Sequence, residues 1–414
     1  MSTNQRIAVA VGVFLLLAVL AVFGGWHGGR QPTSSPPGRA VTVSVTSAED
    51  RGPGTLREAL FIVAAANGKA TVSVKTKTIA LKTALPPVVN SHGVRIVGEP
   101  GAEIDAQGLA GGPVFDVSAA DTSLEGFVVR NCAGAAVLLR AAHFHLQSTT
   151  IESCEVGVDV AANASEVLIE HNRFANDRVG VRFAAASRNA AVVSNSFLHA
   201  KVAGLWAVRG DGAAGGGTIS VRENHFNGNG SGVVAGNVAV IVERNDFVDA
   251  GEAAVHLVGS DAVVRGNHIS GGTAMGIIAE NASGAIIDDN ELDHFTAYAI
   301  MLRGTADALV RANRVHNCGY GMAFVLGDPR RPSTAVDNII IEPKFNGVDV
   351  IGDSPILRRN QVLRPHAFAL YVADHQQPAG QLARARPVLE DNNFRADAIR
   401  VVSDTQPREP QRRP

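Results

Sequence analysis

The residues best suited to chemistry fall in two stretches. The denser one lies towards the C-terminus: Asp328 and Arg330 in Gly327-Asp-Pro-Arg-Arg331, then Asp349 and Asp353, then Tyr371, Asp374 and His375. Tyr and His can act as acid and base. An Arg beside them neutralises a substrate carboxylate and eases removal of the neighbouring proton. With Tyr371, His375, Arg330 and Asp349 as the catalytic candidates, this set suits β-elimination or C5 epimerisation of a uronic-acid polymer. Asp328, Asp353 and Asp374 would hold the substrate, or stacked aspartates could hold Ca2+ through oxygen ligands. Gly-Asp and Asp-Pro are also ordinary turn formers, so solvated turns account for the same residues. The second stretch is Asp159, Arg182 and Trp206, followed by the glycine-rich excursion Arg209–Gly217. A Trp face stacks on a sugar ring and an Arg fork matches a carboxylate. Asp159 and Arg182 read equally as a surface ion pair, worth about 0–1 kcal/mol. No CxxC or HxxxH spacing supports a metal site.

The elements that must position these residues are written in a repeat. A branched apolar residue is followed three positions later by Asn and two further on by another apolar residue. Examples are Ile169-Glu-His-Asn172-Arg-Phe174, Val192-Val-Ser-Asn195-Ser-Phe197 and Val221-Arg-Glu-Asn224-His-Phe226. The frame continues through Asn245, Asn267, Asn290, Asn313, Asn338, Asn360 and Asn392. In Val129-Arg-Asn-Cys132 and Ile151-Glu-Ser-Cys154, Cys stands where Asn is expected. From Cys132 the steps are 22, 18, 23, 29, 21, 22, 23, 23, 25, 22 and 32 residues.

Such a unit reads as short strands with period-two alternation and a sharp corner at Asn, which tolerates left-handed backbone. Asn side chains would stack along the axis, and the next inward position gives a stack of Phe174, Phe197, Phe226 and Phe247. A third strand follows a Gly or Ala, as in Gly157-Val-Asp-Val and Gly180-Val-Arg-Phe. Three strands in about 22 residues is the count for a parallel β-solenoid.

This pattern resembles the right-handed parallel β-helix superfamily of pectate-lyase-like proteins, over roughly residues 94 to 402. The opening stretch Val45 to Leu60 also resembles the start of many secreted members. Within it Thr55-Leu-Arg-Glu58 is a capping box that opens an amphipathic helix to about Asn67, suited to covering the first coil. The expected fold is an all-β right-handed parallel β-helix of about 12 coils with this N-terminal capping helix. The resemblance implies that substrates lie along the outer face of the third strand. Alternation stacks the outward residues there as Asp159, Arg182, Trp206, Val234, His256, Ile278, Met301, Ala323, Asp349 and Tyr371. The middle of this list is apolar. The fold hosts lyases, hydrolases, epimerases, adhesins and inert shafts. The expectation is therefore a lyase or epimerase acting on an anionic polysaccharide. The alternative is a non-catalytic polysaccharide-binding or envelope-scaffolding solenoid. Neither an epimerase DPHD-type signature nor the aspartate set of calcium-dependent pectate lyases is present.

The rest of the chain sets context. Residues 1–24 contain the uninterrupted apolar run Ile7–Phe23 behind Arg6, read as a signal peptide or a membrane anchor that leaves the bulk of the chain outside the cytoplasm. Residues 25–40 read as a Gly/Pro/Ser linker, 41–402 as the β-helix and 403–414 as a disordered tail. Of the 414 residues 46% are hydrophobic, 5% aromatic and 18% charged, so the core is built from Val, Ile, Leu and Ala. A net charge of -2 gives no general attraction to nucleic acid. In an oxidising compartment Cys132, Cys154 and Cys318 leave one unpaired. Coils about 4.8 Å apart would admit a Cys132–Cys154 disulfide, although stacked geometry favours two buried thiols.

Overall fold

The computed structural model describes residues 38–184, 187–209, 217–272, 275–377, 381–395 and 398–402. The N-terminal apolar run, most of the linker, residues 210–216 of the glycine-rich excursion and the tail from 403 lie outside the described residues.

Apolar residues alternate along strands of three to six residues, and each strand pairs in parallel with its counterpart one coil away. The chain thereby winds into a right-handed parallel β-helix of about 13 turns, the hand that parallel crossovers favour. Among the described residues the first sheet has 15 strands, from Val41–Val45 to Val388–Glu390. The second has 13, from Thr78–Ala80 to Gln361–Leu363, and the third 13, from Phe115–Val117 to Ile399–Val402. Inward residues form columns along the axis, and their side chains are the core.

The N-terminal end is covered by the helix Leu56–Ala64. Thr55 caps it by accepting from the Glu58 backbone N–H, and Glu58 accepts in return from the Gly54 N–H at 2.6 Å. Leu56, Ala59, Leu60 and Val63 form its buried face. The helix stops before Asn67 because the Asn90 amide takes the carbonyls of Val63 and Ala66.

The Asn ladder is present, with one correction to its cause. The left-handed residue at each corner is the one before Asn: His171, Ser194, Glu223, Arg244, Asp289, Ala312, Asp337 and Arg359 all have φ between 51° and 57°. Asn is therefore required for its side chain. Each Asn Nδ2 donates to the next Asn Oδ1 at 2.9–3.0 Å, from Asn172–Asn195 to Asn360–Asn392. The same oxygen also accepts a backbone N–H from the preceding coil, as Asn290 Oδ1 does from Asn267. These groups are buried, so each would cost about 1–3 kcal/mol if left unmade.

The cysteines do not belong to this ladder. Thr149 occupies the corner position before Asn172, because the Thr149 N–H donates to Asn172 Oδ1. Cys154 lies one corner later, in line with Asp177, to whose Oδ1 its N–H donates. The step from 149 to 172 is 23 residues, and the irregular step of 18 disappears. Cys132 and Cys154, with Cα atoms 4.3 Å apart, form a disulfide, which overturns the preference for two thiols. Cys318 lies five residues after Asn313, at the same corner. It is buried, and burial pushes its thiol up to about 12.

The expected aromatic column is there. Phe174, Phe197, Phe226 and Phe247 stack with ring centroids 4.7–4.9 Å apart and planes within 7° of parallel. The third-strand glycines exist to accommodate it. A Cβ at Gly157, Gly180 or Gly204 would lie 2.6–2.7 Å from the Cδ1 of Phe174, Phe197 or Phe226.

Candidate functional site

Strand pairing in the third sheet runs Asp159–Arg182–Trp206–Val234–His256–Ile278–Met301–Ala323–Asp349–Tyr371, the outward column expected from alternation, and continues to Arg400. Its two polar ends differ in construction.

At the N-terminal end Arg182 grips Asp159 with both prongs, Nε to Oδ1 at 2.9 Å and Nη2 to Oδ2 at 2.6 Å. Donating to Asp159 raises the Arg182 pKa further. Trp206 lies beside the pair, and together with Leu138, Ala161 and Phe183 they line a recess of about 410 Å³. Two prongs of the Arg182 fork are thus occupied by a protein carboxylate. In mid-column His256 Nε2 meets Glu280 at 3.1 Å.

At the C-terminal end Asp349 faces outward from its strand yet is only 3% exposed. The Tyr298 hydroxyl donates to Oδ2 at 2.7 Å and Asn346 Nδ2 to Oδ1 at 2.8 Å. Tyr298 reaches across two coils to do so. Tyr298 stacks on Tyr320 at 4.6 Å and Tyr320 on Phe345 at 4.8 Å. Phe345 is 48% exposed. Burial raises the Asp349 pKa, although both hydrogen bonds oppose it. Burial and the Asp349 hydrogen bond raise the Tyr298 pKa as well. Tyr298 therefore keeps its proton and is a fixed donor to Asp349.

Tyr371 neighbours Asp349 in register, and its ring centroid is 6.5 Å from that of Phe368. The Arg400 guanidinium lies 5.4 Å over Phe368. His375 is drawn into a short antiparallel pairing, His375–Gln376 with Leu382–Ala383. Exposed Arg330 donates its backbone N–H to Asp328 Oδ1 at 2.9 Å, while Arg331 pairs with Asp307. Among the described residues no hydrogen bond joins Asp349, Tyr371, His375 or the Arg330 guanidinium to one another.

The remaining aspartates are likewise committed to protein donors. Asp353 is buried, with its pKa raised by burial, and accepts from the N–H groups of Ser354 and Gly327. Asp374 accepts from the Ala385 N–H at 2.9 Å. Carboxylates aimed at separate N–H groups do not converge into an oxygen cage for Ca2+.

Sequence reasoning missed Tyr298, Tyr320, Phe345, Asn346 and Arg400. A signal existed for the first two: both directly precede the small residue that opens a third strand, 22 residues apart.

Two family models match the chain. One, described as a right handed beta helix region, covers residues 212–362. The other, described as periplasmic copper-binding protein (NosD), covers residues 71–204. The described residues do not fit a copper centre: no group of three or more His, Cys, Asp or Glu is placed to hold a metal. No curated protein matches the sequence. Solved structures share the fold at low identity. The A-module of a mannuronan C-5 epimerase from Azotobacter vinelandii is 12% identical with a TM-score of 0.55, covering 87% of this chain and 97% of that one. The catalytic unit of a GH87 alpha-1,3-glucanase from Streptomyces thermodiastaticus is 13% identical with a TM-score of 0.51, covering 88% and 70%. The tailspike of Escherichia coli bacteriophage HK620, in complex with a hexasaccharide, is 12% identical with a TM-score of 0.51, covering 84% and 75%. Its coils, its Asn ladder and these matches agree on one architecture, the right-handed parallel β-helix fold.

Proposed function

We propose that this chain is a polysaccharide-binding β-helix working outside the cytoplasm, with the outer face of its third sheet as the ligand track. The observation that carries the reading is the partly exposed stack of Tyr298, Tyr320 and Phe345 over buried Asp349, on the same face as Trp206. Aromatic faces take the apolar side of sugar rings. Asn346, His256 and the Asp159–Arg182 pair supply polar direction between them. The solved relatives named above act on or hold saccharides by their own descriptions, which supports the ligand class. A location outside the cytoplasm is supported by the match to a periplasmic family and by the Cys132–Cys154 disulfide. No helix among the described residues is long and apolar enough to cross a membrane. Anchoring by residues 7–23 rests on their apolar run alone.

A lyase or C5-epimerase acting on an anionic polysaccharide is the second reading. It is favoured by Tyr371 lying next to Asp349, with Arg400 following in the column. It would use Tyr371, His375, Arg330 and Asp349 for proton transfer. Asp159, Arg182, Trp206, Asp328, Asp353 and Asp374 would hold the chain. Binding is preferred because Tyr298 and Asn346 already occupy both oxygens of Asp349, and among the described residues no hydrogen bond joins it to Tyr371, His375 or the Arg330 guanidinium.

Affinity electrophoresis through gels containing alginate, pectate, glucan or no polymer separates the readings. Retardation by at least one polymer, reduced by Tyr320→Ala, is the expected outcome. Mobility unchanged in every gel would sink the proposal. Absorbance rising near 235 nm on incubation with a uronate polymer would favour elimination instead.

A further inference from the structure

A second concave surface runs along the corner between the first and second sheets. The left-handed residue before each ladder Asn turns the chain there, the Asn side chain goes inward, and the residues on either side form two banks. Recesses of about 540 Å³ and 390 Å³ lie along this corner and share Glu223 and His225.

Many arginines on the shaft are paired: Arg95, Arg140, Arg178, Arg182, Arg311 and Arg359 each meet a carboxylate one coil away. Arg173 is not. Its strand neighbours are Thr150 and Ser196, and it is exposed. Among the described residues its guanidinium has no hydrogen bond or ion pair. It lines the larger recess with His171 from its own corner and with the hydroxyls of Thr150, Ser194 and Ser196. His225 closes the far side. Its Nδ1 is bonded to Asp246 at 2.8 Å, which leaves Nε2 for a ligand. Glu223 also lines the recess, but Arg244 approaches its carboxylate to 3.3 Å and offsets its charge. An uncompensated planar fork beside a row of hydroxyls matches an oxyanion carried on a hydroxylated ring.

We propose that this corner cleft is a second saccharide site, distinct from the third-sheet face, that takes an acidic sugar. The carboxylate or sulfate group sits on Arg173, and the ring hydroxyls meet Thr150, Ser194 and Ser196.

Titration calorimetry on the full chain tests this with hexagalacturonate as the carboxylate probe, a heparin hexasaccharide as the sulfate probe and maltohexaose as the neutral control. The expected result is binding of at least one acidic probe that weakens with added salt. Which probe binds identifies the oxyanion. Arg173→Gln should weaken that binding at least tenfold without lowering the melting temperature, because no protein group depends on this side chain. Arg173→Lys should recover part of the loss, which a merely structural role would not predict. Trp206→Ala and Tyr320→Ala should leave binding at this site unchanged. Failure of both acidic probes to bind, equal binding of maltohexaose, or undiminished binding by Arg173→Gln overturns the proposal. Loss of acidic-probe binding in Trp206→Ala but not in Arg173→Gln assigns the ligand to the third sheet, overturning this site while leaving the proposed function intact.

Discussion

Asp159 and Asp349 occupy the same position of the same sheet, eight coils apart, and have become different chemical objects. Asp159 sits at the water's edge against a guanidinium that is itself 43% exposed in its side chain. Its charge is matched, and solvent screens the pair. Asp349 has been roofed by Tyr298 and Asn346, which offer neutral donors and no cation, so burial raises its pKa. Asp177, at the corner beside the disulfide, takes this to its limit. It is 1% exposed, its Oδ1 receives the Cys154 N–H, and its Oδ2 has no partner. Burial pushes its carboxyl up to about 8. Position in the repeat therefore does not set the state of a carboxylate. What covers it does, together with whether the cover brings a positive charge.

Replacing the most buried member should give the largest effect. Asp177 has its folded pKa raised above the ordinary value of 3.8, so its stabilising contribution is full below that value and is lost as pH rises through about 8. The loss amounts to about 1.4 kcal/mol per pH unit between the two values. Asp177→Asn should flatten that part of the profile and raise stability at pH 8 relative to the parent. Urea unfolding at pH 5 and pH 8 measures it, and a parent with equal stability at both would contradict the assignment. Next comes Tyr298→Phe, which leaves Asp349 with one side-chain donor and should cost about 1–3 kcal/mol. Because the Tyr298 hydrogen bond favours the ionised form of Asp349, the penalty should grow with pH, and adding Asp349→Asn should remove that growth in thermal melts. Trp206→Ala should weaken polysaccharide retention about two- to tenfold, an aromatic contact being worth roughly 0.5–1.5 kcal/mol. Unchanged retention would confine the ligand to the Tyr320 end. The smallest effect belongs to the Asp159–Arg182 pair. A double-mutant cycle with Asp159→Asn and Arg182→Gln should give a coupling below about 1 kcal/mol that fades in salt. A coupling of several kcal/mol would place this pair in the same class as Asp349.

The architecture was legible because each coil repeats one hydrophobic instruction. Alternation gave the outward column from Asp159 to Tyr371 in the register observed, and the Phe174 stack came from the same counting. The cysteines were misplaced for a related reason. Both corners of a coil recur at about 22 residues, so the period does not say which corner a residue occupies. The single step of 18 was the trace of that slip. Asn was credited with the left-handed backbone, when His171, Ser194 and their counterparts carry it and Asn supplies the amide. At the site, Asp349 and Tyr371 were located as neighbours, but the Tyr298 partner was not.

By itself the sequence determined the solenoid, its helix cap, its ladder and the outward column from Asp159 to Tyr371, because period-two alternation and corner spacing are local properties of the chain. Only the tertiary structure decided which outward residues are covered and by what. The contact that defines Asp349 joins residues 51 apart in sequence, reached across two coils. Burial, and with it the protonation of a carboxylate, is a property of neighbouring coils that no single repeat contains.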